Sequence, residues 1–113
     1  MNEEFNWSNA PTICELNGYR WLLGQEAEET LSWNDAVEWC KSIGGVLPPR
    51  EVLLMAYLNQ ETVEGFAHDL YWSSSEDNSH PAWHQNFNNG NQSYYLKNGT
   101  FRVCAVRCIK LGE

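Results

Sequence analysis

The chain has 113 residues, 42% of them hydrophobic and 13% aromatic, enough for one core and too few for two. Six Trp, five Tyr and four Phe exceed what a disordered segment carries, so the chain is expected to fold. Fifteen acidic residues against seven Lys and Arg give a net charge of -8, which disfavours polyanionic partners such as DNA, RNA or an anionic membrane surface.

The opening Met1-Asn-Glu-Glu-Phe5 shows no basic and apolar leader, and no apolar run approaches the length of a membrane span. A cytoplasmic or virion-associated location with no signal peptide and no membrane insertion is expected. Free thiols are then the default for Cys14, Cys40, Cys104 and Cys108. A disulfide from Cys40 to Cys104 or Cys108 remains an alternative. Cys104 and Cys108 cannot bond each other along an extended strand, where four residues of rise separate them by more than about 10 Å. The cysteines form no CxxC, and His68, His80 and His84 show no ligand spacing, so neither metal nor cofactor is expected.

In chain order, residues 1–17 are polar with scattered Phe5, Trp7, Ile13 and Leu16, an irregular arm whose aromatic residues pin it to a domain over 18–113. Gly18-Tyr-Arg-Trp-Leu-Leu-Gly24 reads as a strand bounded by glycines. From Ser32, apolar residues Trp33, Ala36, Val37, Cys40 and Ile43 recur at helical spacing. Ser32 with Asp35 resembles a capping box, Leu31 a staple, and Gly44-Gly45 a left-handed stop. Pro49 introduces a second, more buried helix over Val52–Leu58 that Asn59 ends.

Four strands are then predicted: Tyr71–Ser75, Ala82–Phe87, Asn91–Lys97 and Thr100–Ile109. Asn89-Gly90 and Asn98-Gly99 supply the turns between the last three. The fold class is α+β, with two helices packed on a small antiparallel sheet and a C-terminal meander.

A family resemblance covers roughly residues 18–110. It rests on Ser32-Trp33 with Ala36 and Cys40, Leu47-Pro48 and Arg50-Glu51, and Tyr71-Trp72-Ser73-Ser74. Ala82-Trp83, Asn86-Phe87, Gly90, Lys97 and Val106-Arg107 complete the pattern. The chain resembles the domain at the C-terminus of the Legionella collagen-like adhesin, a C-type-lectin-like domain. That fold is similar to formylglycine-generating enzymes and to the variable proteins diversified by retroelements, which are displayed binders. The resemblance implies a phage- or bacteria-associated recognition module. Two departures limit it: the calcium and sugar motif of classical lectins is absent, and Pro49 stands where the family more often has Thr.

The segment from Glu76 to Asn98 is dense in Asn, Ser, Tyr and His, a composition suited to adaptable contact surfaces. Such residues also simply populate loops and solvated edges. Alternation places Trp83, Gln85 and Phe87 inward and His84, Asn86 and Asn88 outward. Either Asn91, Ser93 and Tyr95 or Gln92, Tyr94 and Leu96 continue that surface; parity alone does not choose. The expected ligand-binding set is Glu76, Asn78, His80, His84, Asn86 and Asn88, continued by Asn91, Ser93, Tyr94, Tyr95 and Lys97. Trp33, Trp39 and Trp72 read as core, and Arg102 and Arg107 either lie exposed or pair with Glu38 or Glu51.

No nucleophile elbow, phosphate loop or His–carboxylate pair occurs at motif spacing, so no enzyme activity is expected. The predicted function is recognition of a protein or glycan on another cell. The alternative is a small acidic inhibitor that fills a basic groove of a host nucleic-acid enzyme.

Overall fold

A computed structural model describes residues 5–78 and 80–112. It is an α+β domain of two helices and two three-stranded antiparallel sheets. The first sheet has the order β1-β2-β6, from β1 (Thr12–Leu16), β2 (Tyr19–Glu26) and β6 (Cys104–Lys110). Helices α1 (Trp33–Ser42) and α2 (Arg50–Leu58) follow β2 in sequence. The second sheet is the meander β3 (Leu70–Glu76), β4 (Pro81–Asn86) and β5 (Gln92–Leu96).

Both helices lie where apolar spacing predicted them. Ala36 and Cys40 of α1 are buried, as are Val52, Leu53 and Ala56 of α2. The cap of α1 differs from expectation: Ser32 has the extended backbone of an N-cap, but its side chain makes no capping hydrogen bond. Ser32 instead lines a cleft described below. Gly44 does adopt the left-handed conformation at φ +84° and stops the helix.

Two predictions about chain path are corrected. The expected irregular arm over 1–17 contains β1, which pairs antiparallel with β2 and makes the arm part of the first sheet. Residues 1–4 of that arm lie outside the described residues. The last strand does not extend the meander. After β5 the chain bridges Leu31 through Phe101 and Tyr71 through Arg102, then β6 crosses to pair with β2. Strand pairing at that sequence distance is set by burial of Val103, Ala105 and Val106, which turn hairpins do not encode.

The core has two lobes. One gathers α2 with Ile13, Leu23, Tyr71, Phe87 and Val106. The other gathers α1 with Trp7, Leu22, Trp72, Ala82 and Val103. Trp7 enters a slot walled by Gly24 and Gly45, where an added Cβ would approach its ring to 2.4 and 2.8 Å, and donates from Nε1 to the carbonyl of Ile43 at 2.8 Å. Only glycine admits the indole at both walls.

The two sheets are tied at one corner. Arg102 donates from Nη1 to Glu26 at 2.8 Å and from Nε to Asp69 at 3.0 Å, while the Tyr71 hydroxyl donates to Glu26 at 2.6 Å. Burial and the neighbouring Glu26 carboxylate push the Tyr71 phenol well above its usual range. Its hydroxyl therefore remains a donor. Arg102 thus pairs with Glu26 and Asp69, and Arg107 grips the Gly44 carbonyl, so neither pairs with Glu38 or Glu51.

Candidate functional site

The site forms at β4, β5 and the N-terminal ends of both helices. As the middle strand, β4 has both edges paired, and it carries buried side chains on both faces, Ala82 and His84 on one and Gln85 on the other. Ala82 and His84 face Trp72 and Phe101, and Gln85 lies beneath the start of α2. The outward assignment of His84 is therefore overturned: it is 8% exposed, with ring centroids 6.4 Å from Trp72 and 4.9 Å from Phe101. Alternation predicts which residues share a face but not whether a second layer covers that face. Burial lowers the His84 pKa from its ordinary value, and Nδ1 is buried without a hydrogen-bond partner.

The inward assignment holds for Gln85 and Phe87 and only in part for Trp83, which is half-buried. The Arg50 guanidinium lies 3.6 Å from its ring centroid, and the Tyr94 ring meets it edge-on at 5.1 Å. Arg50 Nε donates to Gln92 Oε1 at 2.9 Å; Gln92 Nε2 donates to the Arg50 carbonyl and to Gln85 Oε1, each at 2.8 Å. The backbone N–H of Arg50 donates to Ser75 Oγ at 3.1 Å. Buried Gln85 is satisfied within this network, which fixes Arg50 across β4 and β5.

The edge strand β5 resolves the open question of parity. Tyr94, Tyr95 and Leu96 are 52%, 53% and 55% exposed although adjacent side chains point to opposite faces. Both sets emerge because β5 lies at the rim, beyond the layers that cover β4. Tyr94 and Gln92 join Trp83 and Arg50, whereas Tyr95 leans its ring against Phe101 at 5.5 Å.

At the far end of β5 is an open cleft of about 660 Å³ lined by Ser32, Asn34, His80, Leu96, Lys97 and Asn98. The start of α1 closes one side through a hydrogen bond from Trp33 N–H to the Lys97 carbonyl at 3.0 Å. Lys97 pairs with Glu76 and lies 4.3 Å from the Trp33 ring centroid. Among the described residues, no acidic side chain lines this cleft, despite the charge of the chain.

The predicted binding residues therefore do not form one cluster. His80 and Lys97 meet at the cleft, with exposed Glu76 at the end of β3 paired to Lys97 and exposed Asn78 in the turn that follows. Ser93, Tyr94 and Tyr95 occupy the exposed edge strand. Asn86 is half-buried, and its Oδ1 accepts from the backbone N–H of Asn88; exposed Asn88 and Asn91 lie in the opposite turn of the hairpin. Sequence reasoning missed Ser32, Asn34 and Asn98 as site residues, and it read Arg50 only as part of the family pattern, in the chain break before the second helix. The available signal was Arg50 itself, a cation beside a proline pair before a helix whose exposed partners were not yet known.

Trp72 is fully buried, whereas Trp33 and Trp39 are only half-buried. Cys14, Cys40, Cys104 and Cys108 are all unbridged. Burial pushes the Cys40 thiol up to about 12 and raises Cys14 and Cys104 as well, so these three remain protonated at neutral pH. Among the described residues, no three His, Cys, Asp or Glu side chains converge as a metal site, and no helix is long and apolar enough to cross a membrane.

The model of the family described as Domain of unknown function (DUF8780) matches residues 23–109, most of the chain. The chain belongs to this family. The matched DUF8780 segment contains α1, α2, the meander and most of β6, and hence Arg50, Trp83, β5 and the cleft. No curated protein matches the chain.

Proposed function

We propose that this DUF8780 domain is a non-catalytic recognition module of C-type-lectin-like type, phage- or bacteria-associated, which binds a protein or glycan through the β5 edge and the adjoining cleft. The observation that carries this reading is the adjacency of Tyr94, Tyr95 and Leu96, each more than half exposed on consecutive positions of one edge strand. Exposed apolar area of this kind costs solubility, and these side chains bury less than half of their surface within the fold. Tyrosine offers rigid amphipathic contact area at low conformational cost, and neighbouring Asn and Ser adapt their hydrogen bonds to a partner. Non-acidic polar groups in the cleft beside this strip give a ligand both an apolar platform and directional contacts.

A second reading rests on a different surface. Glu28 and Glu29 lie beside Trp39 in a cleft of about 250 Å³ between β2 and α1. An acidic pair flanking an indole suits a basic groove on a host nucleic-acid enzyme.

Capture from intact cell surfaces and from lysate, with native protein beside a Tyr94→Ser, Tyr95→Ser, Leu96→Ser variant and a Glu28→Gln, Glu29→Gln variant, tests both. A partner retained by the glutamine variant and lost by the serine variant supports the recognition module. The reverse pattern supports the inhibitor.

A further inference from the structure

The backbone of β5 has a free edge. Asn86 N–H donates to the Asn91 carbonyl and Lys97 N–H to the His80 carbonyl, so residues 91, 93, 95 and 97 turn their backbone groups toward β4. Gln92, Tyr94 and Leu96 therefore turn theirs away from it. Among the described residues nothing pairs with that side of β5 as a strand, and the only backbone bond to these groups closes the local turn, from Gly99 N–H to the Leu96 carbonyl. The N–H and C=O of Gln92, the N–H and C=O of Tyr94 and the N–H of Leu96 remain to pair. No charged side chain, proline or bulge occurs on Gln92–Leu96 to blunt this edge.

A cation stands over the same edge. Arg50 is held by the Trp83 ring and by its Nε bond to Gln92, and among the described residues it forms no ion pair. Nη1 and Nη2 find no acceptor there, and neither is a buried unpartnered atom, so both reach solvent. In a chain with fifteen acidic residues, a guanidinium oriented by neutral groups alone keeps its fork available for an incoming carboxylate. Gln92 and Tyr94 project on the Arg50 face of the sheet.

We infer that β5 accepts an extended peptide segment of a partner protein as an added antiparallel strand, and that Arg50 reads one acidic side chain of that segment. The peptide residue directly opposite Gln92 projects on the Arg50 face, because directly opposite residues share a face. The acidic residue belongs there, and an apolar or aromatic residue two positions away meets Tyr94. Long-range repulsion from a chain of charge -8 restricts the segment to one acidic residue in an otherwise neutral or basic stretch. This inference rests on the hairpin reading above and specifies its partner.

The test is a positional-scanning library of octapeptides, acetylated and amidated at their ends, screened against native protein, Arg50→Gln, Tyr94→Ala and Tyr94→Pro. Native protein should enrich Asp or Glu at one position with an apolar or aromatic residue two positions away. Changing that acid to its amide should weaken binding to native protein by about tenfold to a hundredfold and leave Arg50→Gln unaffected. Tyr94→Pro should bind more weakly than Tyr94→Ala, because proline removes the outward N–H and leaves the β4 hydrogen bonds in place. The acid-to-amide comparison on native protein stands even if a variant misfolds. Absence of any selected peptide, no acidic preference, an acid-to-amide change felt equally by Arg50→Gln, or equal binding by the proline and alanine variants would each overturn the proposal. So would native protein that sediments as a dimer and becomes monomeric with Tyr94→Pro, since a second copy would then occupy the edge. If peptides fail while cell-surface capture still depends on Tyr94 and Tyr95, the recognition reading survives without its strand-addition form; if both fail, the hairpin reading falls too.

Discussion

Arg102 and Arg50 show two uses of the same side chain in an acid-rich protein. Arg102 is paired with both Glu26 and Asp69, and together with the Tyr71 hydroxyl it ties the end of β2 to the start of β3. Arg50 is held by an indole face and a glutamine and, among the described residues, by no carboxylate. Acidic residues outnumber basic ones fifteen to seven, so the absence of an acid at Arg50 is not a matter of supply. The first arrangement fixes the fold, and the second leaves binding capacity open. The same division separates the aromatic residues: Trp7 and Trp72 are enclosed, while Tyr94 and Tyr95 stand at the rim.

If that division is right, the fold should fail first on the enclosed side. Trp7→Ala empties the glycine-walled slot and removes the Ile43 hydrogen bond, and should lower unfolding free energy in urea by about 3–5 kcal/mol. Tyr71→Phe is a smaller break: it deprives Glu26 of a donor and leaves the Ala67 N–H without its acceptor, for about 1–3 kcal/mol.

Acid should sharpen the contrast in two windows. His84 has a lowered pKa in the folded state, so the unfolded chain binds the proton first as pH falls. Stability is complete above the ordinary histidine range near pH 6.5 and declines from there down to the lowered folded value. His84→Gln should flatten that decline in urea titrations between pH 7 and 5. Asp69 is held below the usual carboxylate range, first by the Leu70 backbone N–H and then by Arg102. Its contribution is present above the ordinary Asp pKa and is lost as pH falls through the folded value; Asp69→Asn should remove that lower step. Arg50→Gln should have the least effect on folding, about 1 kcal/mol or less from the lost Trp83 stack, with its consequence confined to binding.

Local pattern made much of this fold legible. The spacing of Ala36 and Cys40 located α1, Gly44 its stop, and Asn89-Gly90 the tip of the β4–β5 hairpin. What stayed hidden depends on contacts distant in sequence. The Trp7 slot needs Gly24 and Gly45 brought together, and β6 leaves the meander for β2 because its apolar residues are buried there. The candidate surface was half legible for the same reason. Composition marked Tyr94 and Tyr95, but burial of His84 depended on Trp72 and Phe101 closing over β4, and Arg50 reaches Gln92 across 42 residues.

The most direct measurement pairs stability and binding on one variant, Tyr94→Ser with Tyr95→Ser, compared with native protein by urea unfolding and by capture from intact cells and lysate. The account predicts a folded variant that loses about 1–2 kcal/mol from the Trp83 and Phe101 ring contacts and captures no partner. Undiminished capture by a folded variant would contradict it, as would a collapse of the fold, which would make these tyrosines structural.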